Sequence, residues 1–190
     1  MKNALKLLIN NSKTIIFGLM LIVVGLFTQI NQAPYLYLLE NNNLFIYDWS
    51  VIAERLAIPG GGAYLIAALL TQFFHLPFVG AIITTLCYAL IVWGSCQIIR
   101  KLYKGPALSG LAFLPIVFLL LSLENSLYRY QGHIAFLLMV LALWAYTSLM
   151  DKPWWMKWLI GVIASSLLYW FIGSAALVFV LGAILMDILC

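Results

Sequence analysis

Charge is scarce in this chain. Of 190 residues, 8% are Asp, Glu, Lys or Arg, ten basic against six acidic, for a formal net charge of +4. Soluble globular domains are about one quarter charged, so a water-facing fold is excluded, together with disorder and ordinary nucleic-acid binding. Histidine and cysteine are scarce as well: two histidines, and three cysteines at Cys87, Cys96 and Cys190. They show no metal-ligand spacing and no pairing pattern, so no transition-metal site or disulfide framework is expected, and the cysteines read as small core residues. What the chain has in abundance is apolar surface: 65% of its residues are hydrophobic and its mean hydropathy is +1.07. The expected fold class is all-α, a polytopic membrane helix bundle forming a single transmembrane domain over residues 1–190, with the lipid bilayer as its first partner.

A hydrocarbon core of about 30 Å takes about 20 apolar residues per helix. Runs of suitable length bounded by charges or turn residues predict six crossings, at 14–30, 78–99, 107–123, 134–150, 155–171 and 174–188. Between the first two lies a long loop, 31–77. It holds a further apolar segment from Ala63 to Phe74, set between Gly60-Gly61-Gly62 and His75-Leu76-Pro77. That segment is too short to cross, and the placement of positive charge says how it sits. If it is re-entrant, Lys2, Lys6, Lys13, Arg100, Lys101, Lys104, Lys152 and Lys157 share one side, against Arg55 and Arg129 on the other. Lys and Arg concentrate in cytoplasmic loops, so the amino terminus is expected inside and the 31–77 loop outside. Tyr35, Tyr37, Tyr47, Trp49, Tyr128, Tyr130 and Trp170 then fall at the outer boundary. Tyr103, Trp154, Trp155 and Trp158 fall at the inner one, as amphipathic rings should.

This sidedness puts Glu40, Asp48, Glu54 and Glu124 outside, so polar chemistry is expected at the outer face. DWSVIAERL carries Trp49, Ile52, Ala53 and Leu56 at helical spacing, which predicts a short amphipathic helix on the membrane surface. Asp48 there is either the helix N-cap or, with Glu54, a carboxylate able to act as general base toward an acceptor hydroxyl. Arg55 is either part of a solvated face or a substrate-binding cation. In the turn ENSLYRYQGH, Arg129 and His133 stand four apart and would share a helical face, with Arg129 suited to grip a phosphate bidentately and His133 to exchange a proton. Glu124, Arg129 and His133 are therefore candidate substrate-binding residues beside Arg55; the alternatives are headgroup anchoring for Arg129, a helix cap for His133, and an ion pair between Glu124 and Arg129. No cofactor is evident; the outer carboxylates leave a divalent ion open. The triglycine lacks the Gly-Lys-Ser/Thr of a phosphate loop and reads as a turn into the short helix.

The order of these elements resembles a known superfamily. One crossing, an outer loop with an acidic residue, the short helix YLIAALLTQFF, then FVGAIITTLCYALIVWGSCQIIRKLY, the ENSLYRYQGH turn and IAFLLMVLALWAYTSLMDKPWW are together similar to the start of the GT-C membrane glycosyltransferases. These include protein mannosyltransferase-like and aminoarabinose transferase-like enzymes. The layout is also similar to an uncharacterised family of long bacterial multi-spanning proteins. The resemblance implies a bacterial cytoplasmic-membrane protein that transfers a sugar from a polyprenyl-phosphate-linked donor to an acceptor on the extracytoplasmic face. It also implies Asp48, then Glu54, as the matching loop carboxylate, and an amino-terminal part of a longer protein. The reading from a different class is a non-catalytic integral membrane subunit or small transporter. A transporter should hold ionisable groups at mid-bilayer, and the predicted crossings carry almost none.

Overall fold

Pro34 has no N–H to continue a helix and is restricted to its first turn, and this is where the first apolar run breaks. In the computed structural model, which describes residues 2–103, 106–123, 129–149 and 151–189, α1 (Lys2–Asn31) gives way to α2 (Ala33–Asn42) with a bend of 71°. The hinge residue Gln32 is fully buried and donates from Nε2 to the Leu120 carbonyl at 2.8 Å, which fixes the direction of the break. The remaining helices are α3 (Trp49–Leu56), α4 (Gly61–Thr71), α5 (Val79–Leu102), α6 (Leu114–Leu123), α7 (Gln131–Tyr146), α8 (Trp154–Ile172) and α9 (Ala175–Leu189), with a 3₁₀ stretch, Pro106–Phe113, leading into α6. No strand occurs among the described residues.

Among the described residues three helices are long and apolar enough to cross a membrane, Val79–Leu102, Gln131–Leu149 and Trp154–Ile172, or four if α1 and α2 count as one broken span. The chain is therefore compatible with an integral membrane protein. Two features depart from the sequence expectation. α2 is a helix of the 31–77 loop that the sequence reading did not place individually, and the 107–123 run is only partly α-helical, its first part being the 3₁₀ stretch. Lys104, Glu124, Tyr128 and Cys190, used in the sequence argument, lie outside the described residues.

Long-range contacts give the helices their directions. Tyr130 and His133 at the start of α7 meet Thr84 and Tyr88 early in α5. At the other end Lys101 Nζ donates to the Thr147 carbonyl at 2.6 Å, so α5 and α7 run parallel. α8 runs back, with Gly161 beside Tyr146 and the Trp170 carbonyl accepting from Gly60 N at 2.9 Å. α9 returns alongside α7, bringing Asp187 to Tyr146. The bundle thus has two distinct ends. The loop end carries α2, α3, α4 and the α8–α9 turn; the basic end carries Arg100, Lys101, Lys152 and Lys157.

Lipid tails are as apolar as leucine, so close packing rather than the hydrophobic effect holds such helices together, and small residues mark their crossings. A Cβ on Gly94 would lie 2.8 Å from Val140 Cγ1 where α5 meets α7. One on Gly182 would lie 2.9 Å from Leu143 where α9 meets α7, and one on Gly62 would lie 2.4 Å from the Phe171 ring where α4 meets α8.

Candidate functional site

The loop end gathers the polar residues singled out in the sequence, and α3 carries most of them. Asp48 is in extended backbone geometry as its N-cap. Its Oδ1 accepts from Ser50 N at 2.8 Å and from Ser50 Oγ at 2.7 Å. These bonds, the hydroxyl first and the N–H second, hold the exposed carboxyl below the usual carboxylate range. No residue of α3 is buried, and Trp49 and Tyr47 are exposed beside it, as an interfacial helix requires. Glu54 is also exposed, and Arg55 lies in the last turn, where the helix dipole favours a cation.

Arg55 does not project freely. Its guanidinium sits over the Tyr64 ring of α4, 5.1 Å from the centroid, a cation–π contact that the sequence reading missed because it joins two helices across the Ile58–Gly60 turn. Arg55 and Tyr64 also form one rim of a cleft of about 40 Å³ whose other walls include Leu44, Ile46, Val51 and Leu65. A charged head over an apolar slot is an amphiphile-shaped arrangement.

The triglycine makes this geometry possible, with a different demand at each position. Gly60 has φ +87° and touches Gly173, itself at φ +68°; a Cβ on Gly60 would stand 3.5 Å from the Gly173 Cα and N. Gly61 packs so closely on the Arg55 carbonyl that no side chain fits. Gly62 receives the Phe171 ring. Gln131 Nε2 completes the junction by donating to the Gly60 carbonyl at 3.0 Å. The C-terminal end of α2 is tied in nearby: the Asn43 carbonyl accepts from Gln72 Nε2 at 3.2 Å, and His75 Nδ1 lies 3.1 Å from Glu40 Oε1.

Arg129 and His133 do not share an exposed face. α7 starts at Gln131, so Arg129 stands outside the helix and is exposed, whereas His133 is fully buried. His133 Nε2 lies 3.0 Å from the Tyr88 hydroxyl, and its ring stacks on Tyr130 at 5.1 Å with planes 8° apart. Tyr130, grouped in the sequence with the boundary aromatics, is buried among the helices rather than exposed on the surface. Its hydroxyl donates to Thr84 Oγ1 at 3.3 Å and Phe74 stands edge-on to its ring. α5 decides this core network, through Thr84 and Tyr88 a long way off in sequence.

Among the described residues no group of three His, Cys, Asp or Glu side chains comes together to hold a metal ion; Glu40, Asp48 and Glu54 remain separate. No curated protein and no solved structure matches the chain. A family described as of unknown function, DUF6057, matches residues 8–190. That match takes in nearly the whole sequence, and the chain belongs to this family.

Proposed function

We propose that this protein crosses a bacterial cytoplasmic membrane six times, amino terminus inside, and handles a polyprenyl-phosphate-linked substrate at its outer face in the manner of the glycosyltransferases it resembles. The charge distribution supports the sidedness: Arg100, Lys101, Lys152 and Lys157 share the basic end, while the loop end carries Glu40, Asp48, Glu54, Arg55 and Arg129. α4, at about 16 Å for its eleven residues, is too short to cross, in keeping with a re-entrant element.

The observation that carries the reading is Arg55, held over Tyr64 at the rim of an apolar cleft on an interfacial helix. A guanidinium grips phosphate oxygens bidentately, and the cleft takes the first part of the isoprenoid tail. Asp48 stands seven residues back along α3, about 10 Å along the axis. Both bonds from Ser50 fall on Oδ1, which leaves Oδ2 to accept the proton of an acceptor hydroxyl, with Glu54 as the second carboxylate.

The test is binding of a polyprenyl phosphate to the full chain in vesicles. Arg55→Gln should weaken it about tenfold, the value of one charge-assisted hydrogen bond. Equal affinity of Arg55→Gln and wild type would remove the cleft from the function. Sidedness is tested by single cysteines at Lys101 and Tyr47, of which a membrane-impermeant reagent should label only the second in intact cells.

A second reading, a helical subunit of a larger membrane assembly, is favoured by α8, of whose residues only Ile172 is buried. Stable co-purification of a second polypeptide that protects α8 from lipid-phase labelling would support it.

A further inference from the structure

The bend between α1 and α2 carries polar atoms that the surrounding helices leave unanswered, and none of its residues lines the Arg55 cleft. Gly25, Thr28 and Gln32 follow one another at intervals of three and four, so they share one face of the helix end. The helical spacing holds through the hinge, where the Gln32 N–H donates to the Thr28 carbonyl at 3.0 Å. That face is turned inward: Thr28 and Gln32 are both fully buried. Yet neither Thr28 Oγ1 nor Gln32 Oε1 has a hydrogen-bond partner among the described residues.

Turning the Gln32 amide round does not cure this. Its Nε2 donates to the Leu120 carbonyl at 2.8 Å, a bond that only the nitrogen can make, so Oε1 stays an acceptor. α5 adds a further oxygen to the same strip. A Cβ on Gly25 would stand 3.1 Å from Thr85 Oγ1, and Thr85 directs its hydrogen to the Ala81 carbonyl at 2.6 Å, which leaves that oxygen its lone pairs. The Ile30 carbonyl has lost its helical donor as well, because the residue four on is Pro34, which has no N–H.

The bend is thus rich in acceptors and poor in donors. It also stands at the C-terminal end of a 30-residue helix with no basic residue in its last turn, the negative pole of the helix dipole. Unsatisfied oxygens are costly in hydrocarbon. A water molecule brings lone pairs together with its hydrogens, whereas a cation answers acceptors alone. α1, α5 and α6 carry no Asp or Glu, so a single positive charge suits the place better than a calcium or magnesium ion, which carboxylates hold. Broken membrane helices coordinate alkali cations through C-terminal ends and freed carbonyls.

We infer that the α1–α2 bend binds one alkali-metal cation, ligated by Thr28 Oγ1 and Gln32 Oε1, with Thr85 Oγ1 and the Ile30 carbonyl as further oxygens at the same helix end. The ion ties the last turn of α1 to the hinge residue and so fixes the bend from the side opposite the Leu120 bond.

Equilibrium dialysis of the full chain in detergent micelles tests this, against radioactive sodium and against radioactive rubidium as the stand-in for potassium. At least one of the two should bind at a single saturable site. The ion that binds should also raise resistance to thermal unfolding above that in N-methylglucamine chloride of equal ionic strength, by mass action. Thr28→Val keeps the shape of the side chain and the Gln32–Leu120 bond; it should weaken ion binding about tenfold, as loss of one ligand to a charge would, and shrink the salt-specific stabilisation with it. Thr28→Ser keeps the oxygen and should bind as wild type does. Ser165→Ala, which removes a hydroxyl bonded within α8, should leave binding unchanged. Absence of saturable binding of either ion, or equal affinity in Thr28→Val, would overturn the assignment. A Thr28→Val variant that binds no ion and is less stable than wild type by the same margin in both salts would mean that water fills the bend. One more stable than wild type in both salts would mean that the hydroxyl has no partner at all, and either result also sinks the cation.

Discussion

Gly62→Ala is the sharpest test of how the loop end is built. The added methyl would stand 2.4 Å from Cδ2 and Cε2 of Phe171 and 2.7 Å from Cγ, well inside van der Waals contact, so the ring or the helix must move. Replacing a helical glycine by alanine otherwise stabilises by up to about 1 kcal/mol, and overpacking costs about 1–3 kcal/mol. The net expectation is a loss of about 1–2 kcal/mol. Gly18→Ala is the control, because nothing lies within 4 Å of its Cβ position; it should be neutral or stabilising. If the clash with Phe171 is the cause, removing the ring removes the penalty. The double variant Gly62→Ala, Phe171→Ala should then be more stable than the sum of the single effects predicts, with a coupling of about 1–2 kcal/mol. Reversible unfolding by dodecyl sulfate in mixed micelles, followed by helical circular dichroism, measures the wild type and the four variants. Strict additivity, or a Gly62→Ala variant as stable as Gly18→Ala, would refute the close approach of α4 to α8.

Gln131→Leu removes the bond from Nε2 to the Gly60 carbonyl and should cost about 1 kcal/mol in the same unfolding assay, with faster proteolysis in the 57–62 turn. Tyr88→Phe deletes the hydroxyl facing His133 Nε2; a loss of about 1 kcal/mol is expected, and full stability would deny the network a structural role. The third concerns pH. Because Ser50 lowers the Asp48 carboxyl in the folded state, the cap is fully in force above the ordinary carboxylate range and is lost as pH falls through the lowered value. Hydrogen exchange across α3, corrected for intrinsic rate, should therefore rise only on the acid side of that range, and Asp48→Ala should exchange fast at every pH.

The long apolar helices were legible because their signal is additive: each of many residues reports the same thing. α5, α7 and α8 begin and end within a few residues of charges or turn formers such as Arg100, Pro153 and Gly173. The amphipathic α3 was legible for the same reason, and Asp48 is the N-cap that one reading of the sequence allowed. What could not be read depends on single long-range contacts. The bend at Gln32 is fixed by the Leu120 carbonyl, 88 residues away. Arg129 and His133 illustrate the limit of spacing arguments: four residues place two side chains on one face only inside a helix, and α7 begins between them. Tyr130 is as amphipathic as its boundary neighbours, and only the presence of Thr84 and Phe74 turns it inward.

Apolar packing alone would let these helices slide or rotate, since one leucine face resembles another. Register is instead set by the glycine contacts and by a few polar bonds, each of which joins elements distant in sequence: Gln32 to α6, Tyr88 to His133, Gln131 to Gly60, and Lys157 with Tyr146 to Asp187. An unsatisfied polar group costs several kcal/mol in hydrocarbon, so a slipped register that breaks one of these bonds is penalised even where the apolar contacts are as good. These bonds belong to the fold, and replacing their residues disturbs structure first. Glu54 and Arg55 stand differently: both are exposed, and Arg55 makes no bond to a distant helix but leans on Tyr64 at the cleft. Substitutions there leave register intact, so any loss of substrate binding in Arg55→Gln is attributable to the cleft itself.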